Sequence, residues 1–365
     1  MSFPFIDLKA QYLAYKDEID SAIKKVCENT AFIMGEELRS LEKELSDYTG
    51  AEHSIGCSSG TSALELALRA LEIKEGDEVI TVPFTFYATV ETIMLVGATP
   101  VFVDVNRDDF NINVDLIEEK ISEKTKAIMP VSLYGQCADM DRINDIAKKH
   151  NLTVIEDAAQ SFGAEYKGKK SCALSTLATT SFFPAKPLGC FGDGGAVFTS
   201  SDELNDQIRL IANHGQNARY MHKVVGINGR LDNLQAAILR VKLRHFEDEM
   251  KTRAMVASRY NESLKNIVET PEIQEERVSA YAQYTIKVQD RDRFVDELKS
   301  DGIPTAIHYP VPLYRQEALA HLGIDPDEFP VTEALSNTVV SLPFSPFLKL
   351  EDQQKVIESI QRIYR

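Results

Sequence analysis

The chain has 365 residues, 44% of them hydrophobic and 26% charged, enough to bury one large core and a smaller second one. Its formal charge of −16 excludes a broad nucleic-acid or anionic-membrane footprint, but leaves room for a phosphate-bearing small ligand held by backbone donors. No apolar run approaches the roughly 20 residues that span a bilayer. The opening MSFPFIDLKAQYLAYKDEID has early acids and no apolar core with a cleavage site, so no secretory signal is expected. Cys27, Cys57, Cys137, Cys172 and Cys190 are scattered without C-x-x-C pairing. Reduced thiols in a cytoplasmic protein, with no metal site, are therefore expected.

In chain order, Ile19, Ile23 and Val26 predict a first helix, and Leu38, Leu41 and Leu45 a second over roughly 36–49. HSIGC reads as a short strand. It feeds Ser58-Ser59-Gly60-Thr61-Ser62 and a helix with Leu64, Ala67, Leu68 and Leu71 in register. A glycine- and hydroxyl-rich turn at a helix start offers unpaired amides and a partial positive charge, which suits a phosphate. Plain N-capping explains the same residues.

From 78 to 157 strands and helices alternate. Strands are predicted at 78–82, 100–105, 127–133 and 152–157, and helices at 86–96, 114–121 and 140–150, giving a parallel sheet covered on both faces. Ligands in such sheets sit at the carboxyl ends of strands. Asp157, in VIEDAAQSFGA, lies at such an end, as either a helix cap or a carboxylate for a cationic ring nitrogen. Phe86, in PFTFYATVET, suits either core packing or a flat cover on a ligand.

SFFPAKPLGCFGDGG places Lys186 between Pro184 and Pro187, ahead of Gly189, Gly192, Gly194 and Gly195. A lysine so held can form a Schiff base with a carbonyl if its surroundings favour the neutral amine. A turn lysine at the surface is the plainer alternative. A strand at 196–199 and a helix at 202–213 follow. HGQNARYMHKVVGINGR then suits a loop that reaches a site or a neighbouring subunit. Leu231, Leu234, Ile238 and Val241 open a long connecting helix. The remainder predicts strands at 284–288 and 305–309 and helices at 293–298 and 353–363. A large domain over 1–250 and a smaller α+β domain over 251–365 are expected.

Taken together, FIDLKAQY, CSSGTSALELAL, PFTFYATVET, PVSLYGQCADM, VIEDAAQSFGA, SFFPAKPLGCFGDGG, NGRLDNLQAAIL and IHYPVPL resemble, in this order, the DegT/StrS-type sugar aminotransferases. The resemblance implies the type I fold of pyridoxal-phosphate-dependent transferases (aspartate-aminotransferase-like), an α/β chain with a large, mostly parallel sheet domain. It also implies pyridoxal 5′-phosphate as cofactor. Lys186 matches the lysine that links covalently to the cofactor and then shuttles the proton. Asp157 matches the carboxylate on the pyridine nitrogen, which keeps the ring an electron sink. Gln160 matches the partner of the ring oxygen and Phe86 the stacking aromatic. Gly60, Thr61 and Ser181 match phosphate contacts. Asn228 matches a contact from a partner subunit, implying a homodimer with shared sites. Arg230, His308 and Tyr309 fall where relatives meet the sugar nucleotide.

A related group with histidine at the lysine position performs dehydration, so Lys186 points to transamination, with L-glutamate as the donor usual in the family. Phe183 stands where enzymes acting at sugar carbon four more often have histidine, and so favours carbon three. The wording around Lys186 and in PVSLYGQCADM looks most like enzymes for a UDP-linked 3-keto N-acetylhexosamine or its uronate, of which the uronate is expected. Arg230 is the candidate for its carboxylate. UDP-3-keto-GlcNAc and dTDP-linked 3-keto-6-deoxyhexoses are the alternatives, and Pro187 counts against the last. Two other classes compete. A regulatory phospholigand binder keeps the fold without turnover. A Rossmann oxidoreductase fails because the glycines precede a strand instead of linking strand to helix.

Overall fold

A computed structural model describes residues 3–365. Seven strands form the central sheet: β1 (His53–Cys57), β2 (Glu78–Thr81), β3 (Thr99–Phe102), β4 (Thr125–Ile128), β5 (Thr153–Asp157), β6 (Leu177–Ser181) and β7 (Gly195–Thr199). Their spatial order is β1-β7-β6-β5-β4-β2-β3. Neighbours from β6 through β3 run parallel, whereas β7 is antiparallel to both β1 and β6. The reversal has a local cause. Residues 182–194, which link β6 to β7, contain no helix to carry the chain back across the sheet, so it returns beside itself.

Alternate residues of each strand feed two different cores, as the pleat requires. Helices α1 (Leu8–Ala14) and α2 (Lys16–Asn29) precede the sheet. Ile80, Ile128, Val154, Ala178 and Phe198 pack against α3 (Glu36–Thr49), α6 (Met140–His150) and the first half of α8 (Asn233–Leu264). Val79, Ala127, Ile155, Leu177 and Val197 pack against α4 (Gly60–Ala70), α5 (Ala88–Leu95) and α7 (Asp202–Ala212). The sheet is thus buried on both faces, with its residues in β5 through β7 almost entirely excluded from solvent.

A third core forms where β8 (Tyr284–Lys287) pairs antiparallel with β9 (Val339–Leu342). It gathers Val256, Tyr260 and Leu264 from the second half of α8 with Phe294, Leu298, Val356 and Ile360. The latter four lie on α9 (Arg291–Ser300) and α11 (Leu350–Ile363). Between these cores, α10 (Pro330–Thr338) begins without a cap of its own. Asp104, just past β3, supplies one. Its carboxylate accepts the Val331 and Thr332 amides at 2.9 and 3.0 Å and the Thr332 hydroxyl at 2.7 Å.

Two expected elements take another form. Residues 114–121 make two 3-10 turns, Val114–Leu116 and Glu118–Lys120, in place of one helix. Asn113 tightens the first by accepting the Asp115 amide, and Val114 and Ile117, three apart, both face the core. Residues 305–309 form no strand. Pro304, Pro310 and Pro312 cannot donate to a ladder, and a single bridge, Ala306 to Ser341, is what remains. All five cysteines are free thiols, with Cys27 alone exposed.

Candidate active site

Five segments converge at the carboxyl end of the parallel strands. The chain leaves β5 at Asp157, β4 at Met129–Tyr134, β2 at the turn into α5, β6 at Ser181, and β1 at Ser58–Ser62. Because β1 and β6 are both antiparallel to β7, they end on the same side. Cys57 and Ser181 both pair with Gly195, one from each flank.

Asp157 is buried. Its Oδ2 accepts the Thr89 hydroxyl at 2.8 Å and its Oδ1 the Ala159 amide at 3.2 Å. Burial raises its pKa, while Thr89, Ala159 and the charge of Lys186 pull it back. Its neighbour Glu156 points to the other face and is saturated by Ser132, Ser171 and the Cys172 amide. Of the two acids, Asp157 alone faces a cation.

Lys186 is half-buried as a residue. Its amine end is dehydrated enough to draw the pKa down to about 8, and Asp157 opposes that fall. The Lys186 amide donates to Phe183 O at 2.8 Å, closing a turn at the loop tip. His308 also feels the Lys186 charge. Burial and then that charge lower its pKa to about 4, so the imidazole is neutral at pH 7. Its Nδ1 is 2.9 Å from Ser341 Oγ.

Gln160 ties this group together. Its Nε2 donates to the Tyr309 hydroxyl at 3.2 Å, and its Oε1 accepts the Tyr134 amide at 2.9 Å. The Tyr134 hydroxyl in turn donates to His308 O. Phe86 is 56% exposed, so it is no core residue, and its ring lies 6.2 Å from that of Tyr309.

At the start of α4, Ser59 Oγ accepts the Ser62 amide at 3.0 Å. The amides of Gly60 and Thr61 find no acceptor among the described residues. Gly60 is required here, since a Cβ would meet the Ser181 Cβ at 2.6 Å. Gly195 is held equally close, its would-be Cβ 2.5 Å from the Ser59 carbonyl. These contacts bring the helix start, Ser181 and β7 into one cup of open amides.

Lys186, Asp157, Gln160, Phe86, His308 and Tyr309 therefore share one site, with Gly60, Thr61 and Ser181 in the cup. Asn228 and Arg230 lie on the outer edge of β1, where the Ser58 amide donates to Gly229 O at 3.0 Å. Asn228 is exposed, and Arg230 donates to Asn213 Oδ1 at 2.8 Å. Thr89 and Tyr134 belong to the site without having been marked by the sequence. Thr89, in the first turn of α5, donates its amide to Phe86 O at 3.2 Å while its side chain is buried on Asp157.

The ensemble offers an amine for a carbonyl, a carboxylate for a ring cation, open amides for a phosphate and a flat apolar face. Such a fold and site define a pyridoxal-phosphate-dependent transferase of the aspartate-aminotransferase type. The chain belongs to the DegT/DnrJ/EryC1/StrS aminotransferase family, matched over residues 14–361. It is 52% identical to UDP-2-acetamido-2-deoxy-3-oxo-D-glucuronate aminotransferase of Pseudomonas aeruginosa, over 94% of this chain and 95% of that one. It is 42% identical to UDP-N-acetyl-3-dehydro-alpha-D-glucosamine 3-aminotransferase of Acidithiobacillus ferrooxidans, over 99% and 98%. The structure of NtdA from Bacillus subtilis with bound cofactor PMP superposes with a TM-score of 0.93 at 32% identity, covering 100% of this chain and 85% of that one.

The lowered pKa of Lys186 has a direct consequence. A lysine with pKa near 8 is neutral in about one molecule in ten at pH 7, against about one in 3,000 for an ordinary lysine. Covalent loading of the cofactor-free protein, followed by visible absorbance, should therefore speed up about tenfold per unit below pH 8 and level off above it. A plateau reached only near the ordinary lysine pKa would show that the amine is not tuned.

Proposed function

We propose that this chain transfers an amino group from L-glutamate to carbon three of a UDP-linked 3-keto N-acetylhexosaminuronate. The product is a 3-amino nucleotide sugar for bacterial surface polysaccharide, made in the cytoplasm. The observation that carries the substrate is the 52% identity to the 3-oxo-glucuronate enzyme along nearly its whole length, ten points above the non-oxidised hexosamine enzyme (52 minus 42). In the first half-reaction glutamate gives up its amino group, takes its new carbonyl oxygen from one water, and leaves as 2-oxoglutarate. In the second the keto sugar takes it, and the carbonyl oxygen leaves as water.

When bound, pyridoxal phosphate supplies the carbonyl that holds the amino group and the ring that absorbs the electron pair. Lys186 would hold it covalently, and its free amine would carry the proton to and from the reacting carbon. Asp157, itself held by Thr89, would face the ring nitrogen and favour its cation. Gln160 would serve the ring oxygen, and Phe86 would cover the ring and keep water from it. Gly60, Thr61 and Ser181 would hold the phosphate. His308 and Tyr309 face the sugar nucleotide, and Arg230 is assigned to the uronate carboxylate. A homodimer with shared sites is supported by Asn228, exposed beside the phosphate cup, and by the nearby hairpin of Gln216–Ala218 and Met221–His222. That hairpin leaves Tyr220 77% exposed.

The regulatory-binder alternative does not account for an amine tuned beside a buried carboxylate. A panel of UDP- and dTDP-linked 3-keto sugars, with glutamate as donor, tests the substrate. The uronate should exceed UDP-3-keto-GlcNAc in kcat/KM by at least about tenfold, because a site built for a carboxylate is left with an unpaired charge by the plain hexose. An inverted preference would replace the uronate with the hexosamine.

A further inference from the structure

Lys242 is an unusual lysine for the middle of a helix. It sits on α8 with 2% of its surface exposed, and burial draws its pKa down to about 8. An amine this dehydrated needs a partner. Its Nζ donates to Gly189 O at 2.6 Å and stands 4.8 Å from the centre of the Phe191 ring. Glu249, two turns along the same helix, attracts it through space only. The Glu249 carboxylate is itself taken up by Gln11, whose Nε2 donates to both oxygens at 3.0 Å.

Gly189 belongs to the loop that presents Lys186, and that loop is internally tied. The Phe182 amide donates to Gly194 O at 2.7 Å, Lys186 to Phe183 O at 2.8 Å and Cys190 to Phe182 O at 2.8 Å. Its two limbs press together at Gly189, where a Cβ would come within 2.4 Å of Pro184 O. A force applied to the Gly189 carbonyl is therefore passed to the tip. These internal bonds hold the loop to itself. Two side chains hold it to α8: Gln235 pairs with the Phe191 amide at 2.8 Å and carbonyl at 3.2 Å at its far end, and Lys242 reaches Gly189, the point where the limbs meet.

We propose that Lys242 is a positioning residue, which anchors the Gly189 carbonyl from α8 and so fixes the loop that carries Lys186. This rests on Lys186 being the reactive amine. The effect is transmitted by geometry, since burial and Asp157 account for the state of the Lys186 amine without any contribution from Lys242.

Lys242→Met keeps the length and apolar stem but removes the donor. In the cofactor-loaded protein, amide exchange of the segment 182–192 should quicken about tenfold, with the helical amides of α8 unchanged. The kcat should fall by about 10- to 100-fold while KM for the keto sugar stays within about twofold, since small displacements of a reacting group cost that much. Lys242→Arg, which retains a donor, should recover part of both. If Lys242→Met fails to fold, Lys242→Gln, whose amide stops short of Gly189, allows the same comparison. Native exchange across 182–192, or a lowered melting temperature with native kcat in the folded fraction, would overturn the proposal. The exchange measurement repeated on cofactor-free protein separates the two ideas. A native protein that takes up no pyridoxal phosphate refutes the function, while the anchor is still judged by the exchange.

Discussion

Lys186→Ala is expected to fold normally and to lose transamination by at least about a thousandfold, because it removes both the covalent attachment and the proton carrier. Nothing nearby can replace the amine. His308 is a base within reach of the Lys186 charge, and its pKa near 4 makes it a poor proton acceptor at pH 7. Its Nδ1 is also engaged by Ser341. Asp157 is buried and held by Thr89 and the Ala159 amide, so it is not free to swing toward a reacting carbon. The fold should tolerate the change, because the loop is tied by backbone bonds and the amine takes part in none of them. Single-turnover absorbance with glutamate, alongside a melting curve, gives the answer. Rates within about tenfold of native would remove Lys186 from the chemistry.

The second large effect is expected at Asp157→Asn, which preserves shape and deletes charge. An asparagine can still accept the Ala159 amide, and Thr89 can reverse its hydroxyl to accept from the new amide, so the local structure should survive. What disappears is the counter-charge for the ring nitrogen. Losing one member of a buried charge pair typically costs about 2–5 kcal/mol, which here means cofactor binding weakened by about 30-fold or more. Both half-reactions should slow together, because each requires the same electron sink. Cofactor retention on dialysis and the two single-turnover rates measure this. If neither changes, Asp157 serves only to shape the turn into Ala159.

Much of this architecture can be read from residue order, and the exceptions share a cause. The helices over 36–49 and 140–150 stand where periodicity puts them, since each has apolar residues three and four apart and ends at a left-handed residue, Gly50 or Asn151. Lys186 and Asp157 stand out because turn chemistry and a strand end mark them, whereas Gln160 is marked by the family resemblance alone. By contrast, β9 follows α10 directly with no turn residue between, and nothing in NTVVSL separates a strand from the helix before it. The start of α10 is equally obscure, because its cap, Asp104, is remote in sequence. Thr89, Tyr134 and Lys242 act on residues far along the chain, through contacts that exist only once the sheet is assembled. Such supporting residues leave little local trace.

The crowding of Gly60 against Ser181 and of Gly195 against Ser59 also bears on how this catalyst can change over time. A single added methyl at either position has nowhere to go, so drift or deliberate diversification there should be met mostly by failure to fold or load. An exposed side chain such as Phe183 carries no such constraint. New substrate tastes in descendants or laboratory libraries should therefore be found around that open rim.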